Sequence, residues 1–363
     1  MRVISAETGT VEKIIWSREG IQCLEVKIGD KKEKALNYPF LTGTALPGHC
    51  VLLNTTAVNL GLGSGGYHFV MANYALKELS LRPGGHIMKL RYTPLQCKVQ
   101  VYEELLDSRG SALAWNSYEG LKGLPVVIGE LHSMVAPFIL AMKKLQPGVK
   151  IVYIMTDSAA LPIYLSDIVF RLRRDSLLEG TVTCGHAFGG DLETVNVYTA
   201  LMAAREELKA DVVLLAPGPG VVGTSTRYGY SGIEQGEHID RVRKMQGLPI
   251  VIPRISFGDL RTRHFGLSHH TITALSEITS QRACIPLPLL GRDKMLLLYR
   301  QFKSAGLLEK HRIIVIKKPK NVTFYNEVNY TFNTMGRGVK QDPVFFATVA
   351  AAACFTEKLL TWD

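Results

Sequence analysis

Asp211-Val-Val-Leu-Leu-Ala-Pro-Gly-Pro-Gly-Val-Val-Gly-Thr-Ser-Thr226 is the stretch on which the fold turns. Its first six residues are a short apolar run with β-branched members, the pattern of a central parallel strand buried on both faces. Gly218, Gly220 and Gly223 then let the backbone turn and approach a ligand closely. Thr224, Ser225 and Thr226 offer hydroxyls, and Arg227 adds a fixed positive charge. Open α/β sheets bind their ligands beyond the carboxyl ends of strands. The stretch therefore predicts a strand that opens into an anion cradle.

Outward from it, strand, loop and helix alternate from about residue 124 onward. Strands are expected over 125–129, 150–156, 180–184, 211–216, 249–255 and 312–316. Helices are expected over 132–145, 165–178, 193–209, 236–246, 271–280 and 294–305. Alternation of this kind implies α/β architecture: a mostly parallel sheet with helices on both faces. Asp342-Pro343 marks the start of a further helix, with an Ala-rich, uncharged run over 344–355 that is expected to be buried. That run is shorter than the roughly 20 residues a bilayer span needs.

The first 85 residues show another pattern. Short, partly alternating apolar segments separated by Ser17-Arg-Glu-Gly20, Gly29-Asp30 and Pro47-Gly48 predict a small closed or half-closed β-barrel. Arg82-Pro-Gly-Gly85 is the natural boundary, so residues 1–85 are read as a barrel domain and 86–363 as an α/β domain that carries the site. Between residues 87 and 103, a break at Thr93-Pro94 predicts a hairpin or a bent strand. Such a barrel serves as a nucleic-acid module, a lid, or an oligomer contact that would make the protein a homo-oligomer. The aromatic-plus-basic pattern that nucleic acid requires is not evident. Gly61-Leu-Gly-Ser-Gly-Gly66 matches a dinucleotide fingerprint literally, but a strand pattern comes after it and no acidic residue stands about 20 positions on. We read it as a hairpin loop, and His68 as a packed residue. Trp16, Trp115 and Tyr153 are assigned to the core.

Composition excludes some classes. Hydrophobic residues make up 47% of 363, enough for a large interior. The six cysteines are far apart and form no C-x-x-C pair, which argues against a zinc ribbon or dithiol site and for buried thiols in a reducing cytoplasm. The first residues carry no apolar segment of the signal-peptide type. A net charge of +10, from 42 basic and 32 acidic residues, is scattered; its densest cluster is only Lys317-Lys318-Pro319-Lys320. A solvated basic surface explains it, and nucleic acid ranks last among partners.

The residues just beyond each strand bound the chemistry. Glu130-Leu-His132, Asp157-Ser158 and Gly185-His186 through Asp191 supply carboxylates and imidazoles for acid–base work, or for a divalent metal held by Glu130, His132, Asp157 and His186. The plain structural alternative makes Asp157 a helix cap and Glu130 a surface acid. Gly218-Pro-Gly-Val-Val-Gly223 also fits G-x-G-x-x-G and does come after a strand. Yet the next helix begins only near Ile233, Pro219 has no N–H, and there is no Gly-Lys-Ser/Thr ending. That leaves a phosphate or carboxylate site with Thr224, Ser225 and Arg227, or a glycine turn that merely packs. After strand 249–255, Arg261 and Arg263 stand at the spacing of an anion clamp, with His264 and His269 as acid–base candidates. Ser268 as a helix cap beside an exposed histidine pair is the alternative. Arg337, between Gly336 and Gly338, joins the ligand-binding candidates.

The segments Leu53-Asn-Thr-Thr-Ala-Val-Asn-Leu-Gly-Leu-Gly-Ser-Gly-Gly-Tyr-His-Phe-Val-Met-Ala-Asn73, Thr334-Met-Gly-Arg-Gly338 and Asp342-Pro-Val-Phe-Phe346 resemble a bacterial family catalogued only as a domain of unknown function. The resemblance spans essentially the whole chain and implies a soluble bacterial protein. It brings no activity and no residue role. On the residues alone, the expected function is an enzyme of hydrolase or transferase type. It would act on a small anionic metabolite at the carboxyl rim of the sheet. A non-enzymatic ligand-sensing protein is the alternative.

Overall fold

The computed structural model describes residues 3–81, 83–108, 110, 118–317 and 322–361. Trp115, Arg82 and the Lys318-Pro319-Lys320 part of the basic cluster lie outside the described residues. Two compact units divide the chain, Met1–Gln100 and Val101–Asp363.

In the first unit, β1 (Ala6–Arg18), β2 (Ile21–Ile28), β3 (Lys31–Asn37), β4 (Cys50–Asn54) and β5 (Tyr67–Asn73) close a barrel in the order β1-β2-β3-β5-β4. Val11, Leu24, Val26, Ala35, Val51, Leu53 and Val70 fill it, drawn from alternate strand positions. Trp16 corrects one expectation. It lies on the outward face of β1, 37% exposed, with the Arg18 guanidinium over its ring. The Gly61–Gly66 loop joins a four-residue helix, Thr56–Asn59, to β5, as a loop rather than a nucleotide site would. His68 is buried, with Nε2 2.5 Å from Glu33 Oε2. β6 (Ile87–Lys89) and β7 (Cys97–Val99) then pair as a short antiparallel hairpin.

The second unit is built on β8 (Pro125–Gly129), β9 (Ile151–Thr156), β10 (Gly180–Thr183), β11 (Leu192–Glu193), β12 (Val212–Pro217), β13 (Leu248–Ile252), β14 (Ile255–Ser256), β15 (Gly266–Leu267), β16 (Cys284–Pro288) and β17 (Arg312–Ile316). Eight of these form one sheet among the described residues, in the order β11-β10-β9-β12-β8-β13-β16-β17. Every pairing in it is parallel. The near-continuous apolar runs are the result of burial on both faces. Val127, Tyr153 and Leu214 pack on one side against Val135–Leu145 and Pro343–Thr361. Val126, Val152 and Val213 pack on the other against Val197–Glu206, Glu234–Lys244 and Arg292–Ser304. The Ala-rich helix starts at Pro343. It is long and apolar enough to cross a membrane by composition, but 72% of that window is buried inside the protein.

Two differences from the sequence expectation have local causes. The run over 249–255 is cut after Ile252 because Pro253 cannot donate to the ladder. The chain resumes as β14, which pairs antiparallel with β15. β16 contains Pro286 and Pro288, which speak against a central strand. It is tolerated because its register with β13 reduces to one pair, Ile250 with Cys284.

Because the strands are parallel, their carboxyl ends share one edge. Along it the His186 amide donates to Asp157 Oδ2 at 3.0 Å, and a Cβ on Gly220 would stand 3.5 Å from Ala159 Cβ. The chain leaves β8 toward β9 and leaves β13 toward β16, on opposite sides of that neighbouring pair. A crevice between them is the expected consequence.

Candidate functional site

Glu130 comes directly after β8 and is 1% exposed. Its Oε2 accepts from Thr271 Oγ1 at 2.7 Å. Its Oε1 has no hydrogen-bond partner and stands 3.5 Å from His270 Nδ1 and 3.9 Å from Arg254 Nη1. Arg254, two residues beyond β13, is 3% exposed, and its burial lowers the guanidinium pKa. The backbone at Gly232 comes so close that a Cβ there would lie 2.9 Å from Glu130 Cγ.

The β14–β15 excursion carries Asp259, which collects three guanidinium groups. Arg261 reaches it through Nε and Nη2 at 2.9 and 2.7 Å, Arg337 at 3.2 Å and Arg254 at 3.4 Å. The hydrogen bond from Arg261, first among these, holds the Asp259 carboxyl well below the usual carboxylate range. Asp342 Oδ2 accepts from Ser256 Oγ at 2.5 Å and from Arg337 Nε at 3.2 Å. Buried charges need such pairing. Arg261 therefore clamps an anion of its own chain, while Arg263 is exposed.

Three imidazoles meet beside Glu130. Ser268 caps the helix His269–Thr273, and its Oγ also lies 2.8 Å from His264 Nδ1, leaving Nε2 as the nitrogen His264 can present. Ring centroids are 5.0 Å apart for His264–His269, 4.9 Å for His264–His270 and 4.3 Å for His269–His270. Nε2 of His269 and Nε2 of His270 are buried without a hydrogen-bond partner. The His270 ring stacks on Tyr230 at 3.8 Å and 2°, and the Tyr230 hydroxyl donates to the His270 carbonyl at 2.7 Å. Burial pushes His264 down to about 3 and lowers His269 as well. Both rings are thus neutral bases at neutral pH. The helix then passes into a π-helical turn, Ala274–Ile278, an irregularity common near functional groups.

The glycine stretch reaches this centre by its backbone, not by its hydroxyls. A Cβ on Gly223 would stand 3.4 Å from His270 Cε1, so the loop packs directly against that ring. Beyond Gly223 the loop is an exposed hairpin that satisfies itself. Thr224 N donates to the Gly229 carbonyl at 2.7 Å, and the Thr224 and Thr226 hydroxyls bond each other at 2.7 Å. Ser225 is exposed. Arg227 is held by Glu277 at 3.0 and 2.6 Å. Glu277 lies 50 residues away, beyond the reach of any local pattern.

The remaining candidates separate. His132 Nε2 lies 2.8 Å from Ser166 Oγ and Nδ1 3.2 Å from the Pro217 carbonyl, and burial lowers the ring to about 4. Asp157 accepts from the His186 amide, and a Cβ on Gly185 would overlap the Asp157 carboxylate. Asp191 accepts from Thr181 N and Oγ1, both at 2.8 Å, and from Arg173. Glu130, His132, Asp157 and His186 are thus tied to different partners, not gathered into one ligand set. The group within reach of one ion, among the described residues, is His264, His269 and His270. Sequence reasoning weighed the adjacent pair His269-His270 and preferred His269, and it gave no role to Tyr230, Thr271 or Arg254. Arg254 carried a signal, as a charge inside an apolar strand run.

These contacts define a class: a parallel α/β protein with a buried carboxylate–arginine–imidazole centre at the carboxyl edge of its sheet. The chain belongs to the family described as Protein of unknown function (DUF3866), whose model matches residues 34–353. No curated protein matches it. Two of the segments that resemble the family, Thr334–Gly338 and Asp342–Phe346, supply Arg337 and Asp342 to the centre.

Proposed function

We propose that the protein is an enzyme of hydrolase or transferase type, acting on a small anionic substrate at the carboxyl ends of β8 and β13. The observation that carries this reading is Glu130 Oε1: buried, without a hydrogen bond, and 3.5 Å from His270 Nδ1. A buried polar atom left unbonded costs about 1–3 kcal/mol, a cost that catalytic groups often bear. Glu130 serves as the base that moves the proton, and His264 and His269 stand beside it as neutral imidazoles. The charges of Arg254, Arg261 and Arg337 are already opposed by Glu130, Asp259 and Asp342. Substrate charge is met by Arg263 and by the outward donors of Arg261, whose side chain is 43% exposed. Free cysteines throughout fit a reducing, cytoplasmic setting, and the family resemblance a bacterial one.

The test is release of p-nitrophenol from p-nitrophenyl phosphate and from p-nitrophenyl acetate. Turnover by the wild type, reduced about 100-fold or more in Glu130→Gln, supports the reading. No turnover of either ester, with inorganic phosphate still raising Tm, would replace it with the ligand-sensing alternative.

A further inference from the structure

We propose that His264, His269 and His270 form a site for one divalent transition metal of the zinc class, bound through imidazole nitrogens with an open coordination position. This deepens the proposed function, since it rests on the same strand ends, but its test reads the metal directly.

The three rings hold unused lone pairs close together. One ring nitrogen from each histidine lies within 4.8 Å of the other two. Four-coordinate zinc with bonds of about 2.0–2.1 Å needs ligand nitrogens about 3.3 Å apart, so small side-chain rotations close the set. Of the nitrogens these rings offer, Nε2 of His269 and Nε2 of His270 are buried with no hydrogen bond. A merely packed cluster leaves both costs standing, whereas one ion satisfies both.

The outer partners fit as well. Metal-bound imidazoles usually hand their other nitrogen to a carboxylate, carbonyl or hydroxyl, which fixes tautomer and ring orientation. His264 Nδ1 faces Ser268 Oγ at 2.8 Å, and His270 Nδ1 faces Glu130 Oε1 at 3.5 Å. Tyr230 stacked on His270 fixes the plane of that ring, so the closing rotations fall to His264 and His269.

Ligand chemistry narrows the ion. Imidazole donors without sulfur suit zinc, copper, nickel or iron more than magnesium or calcium. Three protein ligands with a fourth position open is the catalytic pattern rather than the closed structural one. Neutral ligands leave the dication uncancelled, so it would bring the positive charge that the paired arginines no longer supply. Arg254, Arg261 and Arg263 oppose the ion electrostatically, and Glu130 favours it.

The experiment uses the full chain without an affinity tag, stripped with chelator and dialysed. Zinc chloride is titrated by calorimetry, and cobalt(II) is followed by its visible d–d bands. The expected result is one equivalent of either ion and band intensities of a four-coordinate centre. His264→Ala and His270→Ala should abolish both signals. Glu130→Gln should keep the bands and weaken zinc affinity about 10–100-fold, as loss of an outer partner does. Should the two alanine variants fail to fold, His269→Ala, at a less buried position, gives the same reading with circular dichroism as the check. No stoichiometric binding by the wild type, or equal binding by the folded histidine variants, overturns the proposal. Metal binding without ester turnover would sink only the proposed function. Turnover that chelator leaves intact would sink only the metal.

Discussion

The two halves of the sheet's carboxyl edge carry the same kinds of residues and use them differently. On the β9–β10–β11 half, Asp157 and Glu193 accept hydrogen bonds from a neighbouring amide and hydroxyl, and Asp191, level with Thr181 in mid-sheet rather than at a strand end, does the same. They tie loops to strands. On the β8–β13 half, Glu130 Oε1, Asp342 Oδ1 and the Nε2 atoms of His269 and His270 are buried without hydrogen-bond partners. A carboxylate at a strand end is therefore no sign of chemistry by itself. What separates the two halves is whether the local chain satisfies the group.

Substitutions can break that comparison. The largest effect is expected for Asp259→Ala, which takes one carboxylate from three guanidinium groups, one of them on buried Arg254. Removing one side of a buried ion network costs about 3–5 kcal/mol. Asp191→Ala, in the other half, loses bonds to Thr181 and Arg173 and should cost about 2 kcal/mol. Urea denaturation reads both, and equal losses would erase the distinction.

His132→Gln tests a ring that comes after β8 but is buried for structure, between Ser166 and the Pro217 carbonyl. The wild-type imidazole moves from an unfolded value near 6.5 to about 4 when folded. A depressed value means the folded state resists the proton. Its stabilisation is thus fully present above pH 6.5 and lost as pH falls through 4. The wild type should lose about 3 kcal/mol more than the variant over that window, measured by urea denaturation at stepped pH. Parallel pH profiles would count against a buried neutral His132.

Tyr230→Phe keeps the stack on His270 but removes the hydrogen bond to its carbonyl, a loss of about 1 kcal/mol in the same assay. Arg227→Ala should leave Tm unchanged within error, because the Arg227–Glu277 pair is solvated. A clear fall in Tm would mean that the hairpin tip bears on the buried centre.

The strand–helix alternation was legible because a parallel sheet buried on both faces writes itself as apolar runs. Strands 125–129 and 312–316 fall where the pattern puts them. β11 and β16 were not legible, the one for its two residues and the other for its prolines. At the site, Glu130, His264, His269, Arg261, Arg263 and Arg337 stood out by residue type. His270 was hidden as the second of a pair, and Asp342 beneath its reading as a helix cap. Thr224 and Arg227 looked available because their partners, Gly229 and Glu277, are found only by folding.

By itself the sequence determined the class of layer structure, the presence of a small barrel and the strand ends at which polar chemistry gathers. These depend on side-chain periodicity and on turn residues, which act over a few positions along the chain. Only the tertiary structure decided that β8 and β13 are neighbours and that Asp259 draws three arginines together. It alone brought three imidazoles beneath the glycine loop. The physical reason is distance: whether a polar atom is satisfied depends on groups 50 to 141 residues away, as for Arg227 with Glu277 and Glu130 with Thr271.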